Sequence, residues 1–191
     1  MKLLQTLNIF DAKNASPEAL MAEYVIGQNK RVFNQLYDKL ADDLFHYLVS
    51  LSDHQLASDI AQKTWLKVYE KPQRYQASAG FKAWLFRVGR NALIDEFRKQ
   101  NRLVSVFEDD NFAADRLASE ISTLEYEDMH QAFDAALANM PIAQREAFCL
   151  QQECFSLDQI AEITHCPKET VKTRIRYARE LLKRKLEKYH E

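Results

Sequence analysis

The stretch Ser156-Leu157-Asp158-Gln159-Ile160-Ala161-Glu162-Ile163-Thr164-His165-Cys166-Pro167-Lys168-Glu169-Thr170-Val171-Lys172-Thr173-Arg174-Ile175-Arg176 decides the fold. It opens with a serine followed three residues later by a glutamine, the pattern by which side chains satisfy the orphan amides of a helix start. A helix therefore begins near Leu157. It ends at about Thr164, because Pro167 cannot continue it and turns Cys166 away from helical geometry. Pro167 instead suits the first turn of a new helix. A short helix, a turn and a longer helix make a helix-turn-helix, with Ala161 and Val171 where the two helices pack closely.

In the longer helix Val171, Ile175, Ala178 and Leu182 recur at helical spacing as an apolar stripe. Lys172, Arg176, Arg179 and Lys183 repeat that spacing one residue later, which places a basic stripe about 100° around the helix. From Pro167 to Tyr189 nine basic residues stand against three acidic ones, a local net charge of +6. Any single Lys or Arg on a helix reads as a solvated face. A whole stripe behind a helix-turn-helix reads as a surface for a DNA major groove and its flanking phosphates, with Lys172, Thr173 and Arg176 outermost.

Working outward, the segment from Met129 to Tyr189 is one helical unit and the segment from about Ala19 to Arg102 is another, rich in aromatics. Between them, residues 103–128 carry eight acidic side chains against the single Arg116, which predicts a solvated, flexible acidic linker. The expected architecture is all-α: a 1–18 extension, a 19–102 domain, a 103–128 tether and a 129–191 domain. A helix is expected from about Phe81 to Lys99, with Phe81, Trp84, Leu85, Val88 and Ala92 as its apolar face. Arg87, Asn91, Arg98 and Arg102 share another face, and from Phe81 to Arg102 six basic residues oppose Asp95 and Glu96.

Composition narrows the field. The chain has 191 residues and only three glycines, where average usage of about 7% would give roughly thirteen. Glycine-rich phosphate loops are therefore excluded, and scattered Pro17, Pro72, Pro141 and Pro167 do not punctuate a turn-rich β fold. Apolar residues make up 47% and charged residues 28%, the balance of a globular protein with a real core. No apolar run reaches the roughly 18 residues of a membrane span, which predicts a cytoplasmic chain with no membrane insertion.

The residues now carry a family resemblance. Asp59-Ile60-Ala61-Gln62-Lys63-Thr64-Trp65, then Phe81-Lys82-Ala83-Trp84-Leu85-Phe86-Arg87-Val88-Gly89-Arg90-Asn91, then Asp95 and Arg98, resemble region two of the extracytoplasmic-function sigma factors. Cys166-Pro167-Lys168-Glu169-Thr170-Val171-Lys172-Thr173-Arg174 with Arg179, preceded by Met140-Pro141 and Arg145, resembles their region four. The match runs in the right order from Ala19 onward, with the acidic linker in place of region three.

The resemblance implies a specificity subunit of RNA polymerase with no cofactor and no metal. Asp59, Gln62 and Trp65 would bind the clamp helices of the largest core subunit, and region four the β flap. Gln76 and Ser78 in the loop Tyr75 to Gly80, with Trp84, would hold an extruded base of the −10 element. Arg87, Arg90, Asn91 and Arg98 would follow that strand and its phosphates. Lys168, Lys172, Thr173, Arg174, Arg176 and Arg179 would read the −35 duplex. An anti-sigma factor is the family's usual inhibitory partner. His165 stands where the family often has a turn glycine, which predicts a different turn geometry. Glu169 replaces a frequent glycine and Arg176 a frequent aromatic.

Two other readings stand beside this one. A free-standing helix-turn-helix regulator accounts for Leu157 to Lys183 but leaves the Asp59 and Trp84 segments unexplained. A metal or redox site on Cys149, Cys154, His165 and Cys166 would need an uncommon zinc spacing, and isolated cysteines are commonly small core residues. The five histidines are scattered, and no nucleophile has a base beside it in sequence, so the chain is read as a non-enzyme.

Overall fold

The computed structural model describes residues 15–75, 80–99 and 129–189, and all regular structure among them is helical. Each early helix starts on a side-chain cap. Ser16 accepts a hydrogen bond from the Ala19 amide ahead of α1 (Pro17–Gly27), Asn29 from Arg31 ahead of α2 (Lys30–Leu51), and Asp53 from Leu56 ahead of α3 (His54–Glu70). These oxygens satisfy amides that have no partner inside the helix. The buried stripe of α2 is Val32, Leu36, Leu40, Leu44, Tyr47, Leu48 and Leu51, and α1, α3 and α4 (Phe81–Lys99) pack around it.

The first amide of helix α4, Phe81 N–H, donates to Glu18 Oε1 of α1 at 3.2 Å. Gly80 leads into that start at φ +91, and a Cβ there would stand 3.0 Å from the same Glu18 oxygen. The positive φ is what favours glycine there, since a Cβ would only push back the flexible end of Glu18. Gly89 has a different reason: a Cβ would sit 3.1 Å from Leu44 Cδ1 and 3.6 Å from Thr64 Oγ1, so its missing side chain lets α4 approach α2 and α3 closely.

The second unit comprises α5 (Met129–Ala138), α6 (Ile142–Gln152), α7 (Leu157–Thr164) and α8 (Lys168–Leu186). The bounds of α7 and the start of α8 coincide with those read from Ser156 and Pro167, and both halves of the capping box form. The turn corrects one expectation. His165 takes the left-handed conformation itself, φ 56, with its amide donating to Ala161 O. Histidine is among the non-glycine residues enriched in that region, so the family's usual turn survives the change.

The two units pack on each other: α2 lies on α6 and α4 on α7, and Leu150, Phe155, Ile160, Ile163, Val171 and Ile175 join one core with the first unit. The cause lies in α4. Besides Phe81, Trp84 and Leu85 it buries Ala83, Phe86, Leu93, Ile94 and Phe97, whereas Val88 and Ala92 are only half-buried. A helix apolar around most of its circumference needs neighbours on more than one side. The 103–128 linker lies outside the described residues, as do Gln76 and Ser78.

Overpacking the α2–α4 crossing tests this arrangement. Gly89→Val is expected to lower stability by about 1–3 kcal/mol, read as a lower urea midpoint with an unchanged m-value.

Candidate nucleic-acid interface

Helix α8 buries Val171, Arg174, Ile175, Ala178 and Leu182 and exposes Lys168, Lys172, Thr173, Arg176 and Arg179. The exposed cations are held loosely on their own surface. Lys168 meets Asp158 at 2.8 Å, Lys172 meets Glu169 at 2.6 Å, and Arg179 donates to Gln151 Oε1 at 2.9 Å. Such solvent-exposed pairs contribute about 0–1 kcal/mol and yield readily to a phosphate. Arg174 departs from the expectation that it reads the −35 duplex. It lies four residues before Ala178 and three after Val171, on the inward side, and Nη1 donates to Cys166 Sγ at 2.9 Å.

Arg145 also serves structure. Its guanidinium donates to the carbonyls of Leu137 and Ala138, closing the C-terminal end of α5, and burial pushes its pKa down. Trp84 sits in the core, 8% exposed, in a cluster with Tyr75 and Phe81 at ring distances of 5.6 and 5.9 Å. It is placed at the base of the loop expected to hold an extruded base and not out on the strand face, because its large apolar surface is buried against those rings.

The basic face of α4 divides. Asn91 and Arg98 are exposed, with Arg98 3.6 Å from Asp95. Arg87 and Arg90 turn toward the second unit. Arg87 Nη1 meets Glu162 of α7 at 2.6 Å. Arg90, 4% exposed, grips Glu146 of α6 through Nε at 2.7 Å and Nη2 at 3.2 Å, and Tyr47 Oη donates to the same carboxylate at 3.0 Å. Burial opposes the Arg90 charge, but Glu146 outweighs it and the pKa rises. The Tyr47 hydroxyl is pushed well up, by burial first and Glu146 next, so it stays a donor. Lys82 completes the row between Asp43 at 2.8 Å and Glu153 at 2.9 Å.

On the far side, α2 and α3 flank a groove of about 440 Å³ lined by Phe33, Tyr37, Phe45, Gln62, Trp65, Leu66 and Tyr69 among others. Leu66 is 54% exposed there, and the Trp65 indole Nε1 is buried with no acceptor. Gln62 and Trp65 thus meet in one groove, whereas Asp59 lies outside its lining, exposed and accepting from Gln55 Nε2 at 3.3 Å. Among the described residues no three His, Cys, Asp or Glu side chains gather as metal ligands. No described helix is long and apolar enough to cross a membrane.

The family model of sigma-70 region 2 matches residues 36–103, and that of sigma-70 region 4 matches residues 130–182. The ECF RNA polymerase sigma factor EcfG of Rhodopseudomonas palustris is 33% identical over 159 residues, 77% of this chain and 84% of the relative. The chain belongs to the sigma-70 family, in its extracytoplasmic-function branch. The sigma-E factor of Haemophilus influenzae is 24% identical over 92% of this chain and 98% of its own length. Among solved structures, the sigma factor RpoE of Bartonella quintana in complex with the anti-sigma factor NepR aligns at a TM-score of 0.57 with 29% identity, covering 81% of this chain and 96% of that one. CnrH in complex with the cytosolic domain of CnrY, at 20% identity and a TM-score of 0.58 over 90% of this chain and 98% of that one, shares the fold.

In this sigma factor the sequence left Lys82, Tyr47, Glu146, Glu153 and Glu162 unassigned, although they line the contact between the two units. One signal was available. Glu146 falls beside Ala147, Phe148 and Leu150 in a helix whose remaining inward positions are mostly apolar, and a carboxylate there demands a cationic partner. The different burial of the α8 arginines yields a test. Arg176→Ala and Arg179→Ala should leave stability within about 0.5 kcal/mol of the parent. Arg174→Ala should measurably lower the thermal midpoint in the same calorimetric experiment.

Proposed function

We propose that this sigma factor binds core RNA polymerase and directs it to its promoters, the first unit reading and melting the −10 element and the second reading the −35 element. The carrying observation is one chain that combines a helix-turn-helix with an exposed cationic face on α8 and an apolar groove between α2 and α3. Thr173 and Arg176 face outward where major-groove edges would lie, flanked by Lys168, Lys172 and Arg179 for phosphates. Asn91 and Arg98 extend the strand-binding face of α4, which Gln76, Ser78 and Trp84 would complete at the extruded base. Stacking and backbone contacts worth about 1–3 kcal/mol per base would drive melting by binding energy alone. No covalent step is assigned to the chain.

The groove fits the clamp helices of the largest polymerase subunit, with Leu66 and Tyr69 as apolar contacts, Gln62 as a polar one and Trp65 as the buried wall that supports them. Asp59 would act at its margin, and region four would meet the β flap. The proposed division is residues 16–102 and 129–191, joined by 103–128; the first bound moves out from 19 because Ser16 caps α1 and Glu18 accepts from the first amide of α4. An anti-sigma factor is proposed as inhibitor, supported by the NepR and CnrY complexes of the structural relatives. The protein acts in the cytoplasm.

Titration of the full chain into core polymerase, with labelled primary sigma factor as competitor, is the deciding experiment. Displacement supports the reading. Duplex binding by the free chain without any binding to core would move it to a free-standing helix-turn-helix regulator. Leu66→Asp should weaken core binding by roughly tenfold or more, as loss of about 1.4 kcal/mol or more implies, with unchanged circular dichroism. Arg176→Ala should alter preference across −35 variants in a promoter-binding assay, and an unchanged preference would remove Arg176 from the readout.

A further inference from the structure

The outward side of α8 carries an acid at its very start, where the flank beside it is basic. Glu169 is the second residue of the helix, its side chain is 80% exposed, and its Oε1 accepts from Lys172 Nζ at 2.6 Å. Counted at about 100° per residue, Glu169 and Thr173 stand roughly 160° from the middle of the buried stripe formed by Val171, Arg174, Ile175, Ala178 and Leu182. Lys168, Lys172 and Arg179 stand only roughly 60–100° from it on the same count. The cations therefore flank the face, and Glu169 lies on its outermost line. The Lys172 head group leans off the flank onto that line to reach Glu169.

We propose that Glu169, held by Lys172, is a base-reading residue that selects a C·G pair in the −35 element. The inference rests on the −35 reading given above and names what one position of that duplex must be. In a helix-turn-helix the first residues of the second helix reach base edges. A carboxylate only accepts, and the base-edge donors of the major groove are the amino groups of cytosine and adenine. Lys172 decides between them. In a C·G pair the cytosine amino nitrogen lies beside guanine O6 at ordinary hydrogen-bond spacing, about 2.9 Å. The Glu169 and Lys172 head groups are 2.6 Å apart, so acceptor meets donor and donor meets acceptor in one contact. Guanine adds N7 as a second acceptor for the ammonium, whereas thymine sets a methyl group beside its single O4. A carboxylate has two oxygens and an ammonium three protons, so the bond between them leaves both able to bind bases. The Lys172 charge also offsets the repulsion that a lone carboxylate would meet among phosphates. A pair that turns guanine toward Glu169 presents acceptors to an acceptor and is rejected.

The test selects duplexes from a library randomised across the −35 element with a fixed −10, using core polymerase loaded with the full chain, and repeats the selection with the chain alone. The parent is compared with Glu169→Ala, with Glu169→Gln and with a control, Glu180→Gln. Glu180 is exposed on the same outward line about 16 Å further along the helix, so its variant makes the same change of charge away from the first turns. The parent is expected to favour cytosine at one position by roughly tenfold, within the range of a good specific contact to a base pair. Glu169→Ala levels that position, and Glu169→Gln turns it toward adenine, the base that a side-chain amide pairs with. Glu180→Gln leaves it as in the parent, and the other positions keep their preferences throughout. No cytosine preference in the parent, or one that persists in Glu169→Ala, overturns the assignment. So does a change of affinity uniform over all sequences, the mark of charge alone. Failure to bind core overturns the sigma reading separately, because selection by the chain alone still decides the role of Glu169.

Discussion

Glu146 has no exposed surface, and its carboxylate is met from one side by the Arg90 guanidinium and from another by the Tyr47 hydroxyl. A buried charge is tolerated only with partners of this kind, and removing one partner of such a pair costs about 3–5 kcal/mol. The three residues come from α6, α4 and α2, so the constraint ties both halves of the chain together. Around it the rest follows: Phe86 and Phe155 close the apolar centre, and Lys82 and Arg87 find their acids at the rim. The shared apolar core gives the contact its strength and this pair gives it register, because a bidentate arginine accepts few alternative alignments.

The functional surfaces sort by their relation to that contact. The groove beside Trp65 and the cationic side of α8 lie away from it and are open. The face of α4 proposed to bind the strand is shared with it and is partly covered, through Arg87 and Arg90. A protein that must meet a polymerase and two stretches of DNA in order gains from such an inequality, since the surfaces need not become available together.

Local features were readable in the sequence because their causes are local. Ser156, Gln159 and Pro167 set the bounds of α7 and the start of α8 through their own amides and ring, and the same bounds appear in three dimensions. The limits of α4 were readable from its composition. What the sequence did not disclose was which neighbour each inward face would meet. Period tells that Phe86 and Arg90 share a side, but not that α7 of a distant segment covers it. Arg174 shows the converse, since its spacing from Val171 and Ala178 already placed it inward, and only motif resemblance directed it to DNA. His165 took the glycine's conformation unaided, which residue identity alone did not indicate.

Glu18 reaches from α1 to the first amide of α4, and Leu20, Met21 and Tyr24 of the same helix are buried in the core. The region 2 family match begins only at residue 36. The conserved-domain boundary and the folding boundary of this chain are therefore different places. A domain swap or a minimal fragment cut where the family match starts would strip α4 of its cap and expose a helix-sized gap in the core, so any graft between relatives has to begin no later than Ser16.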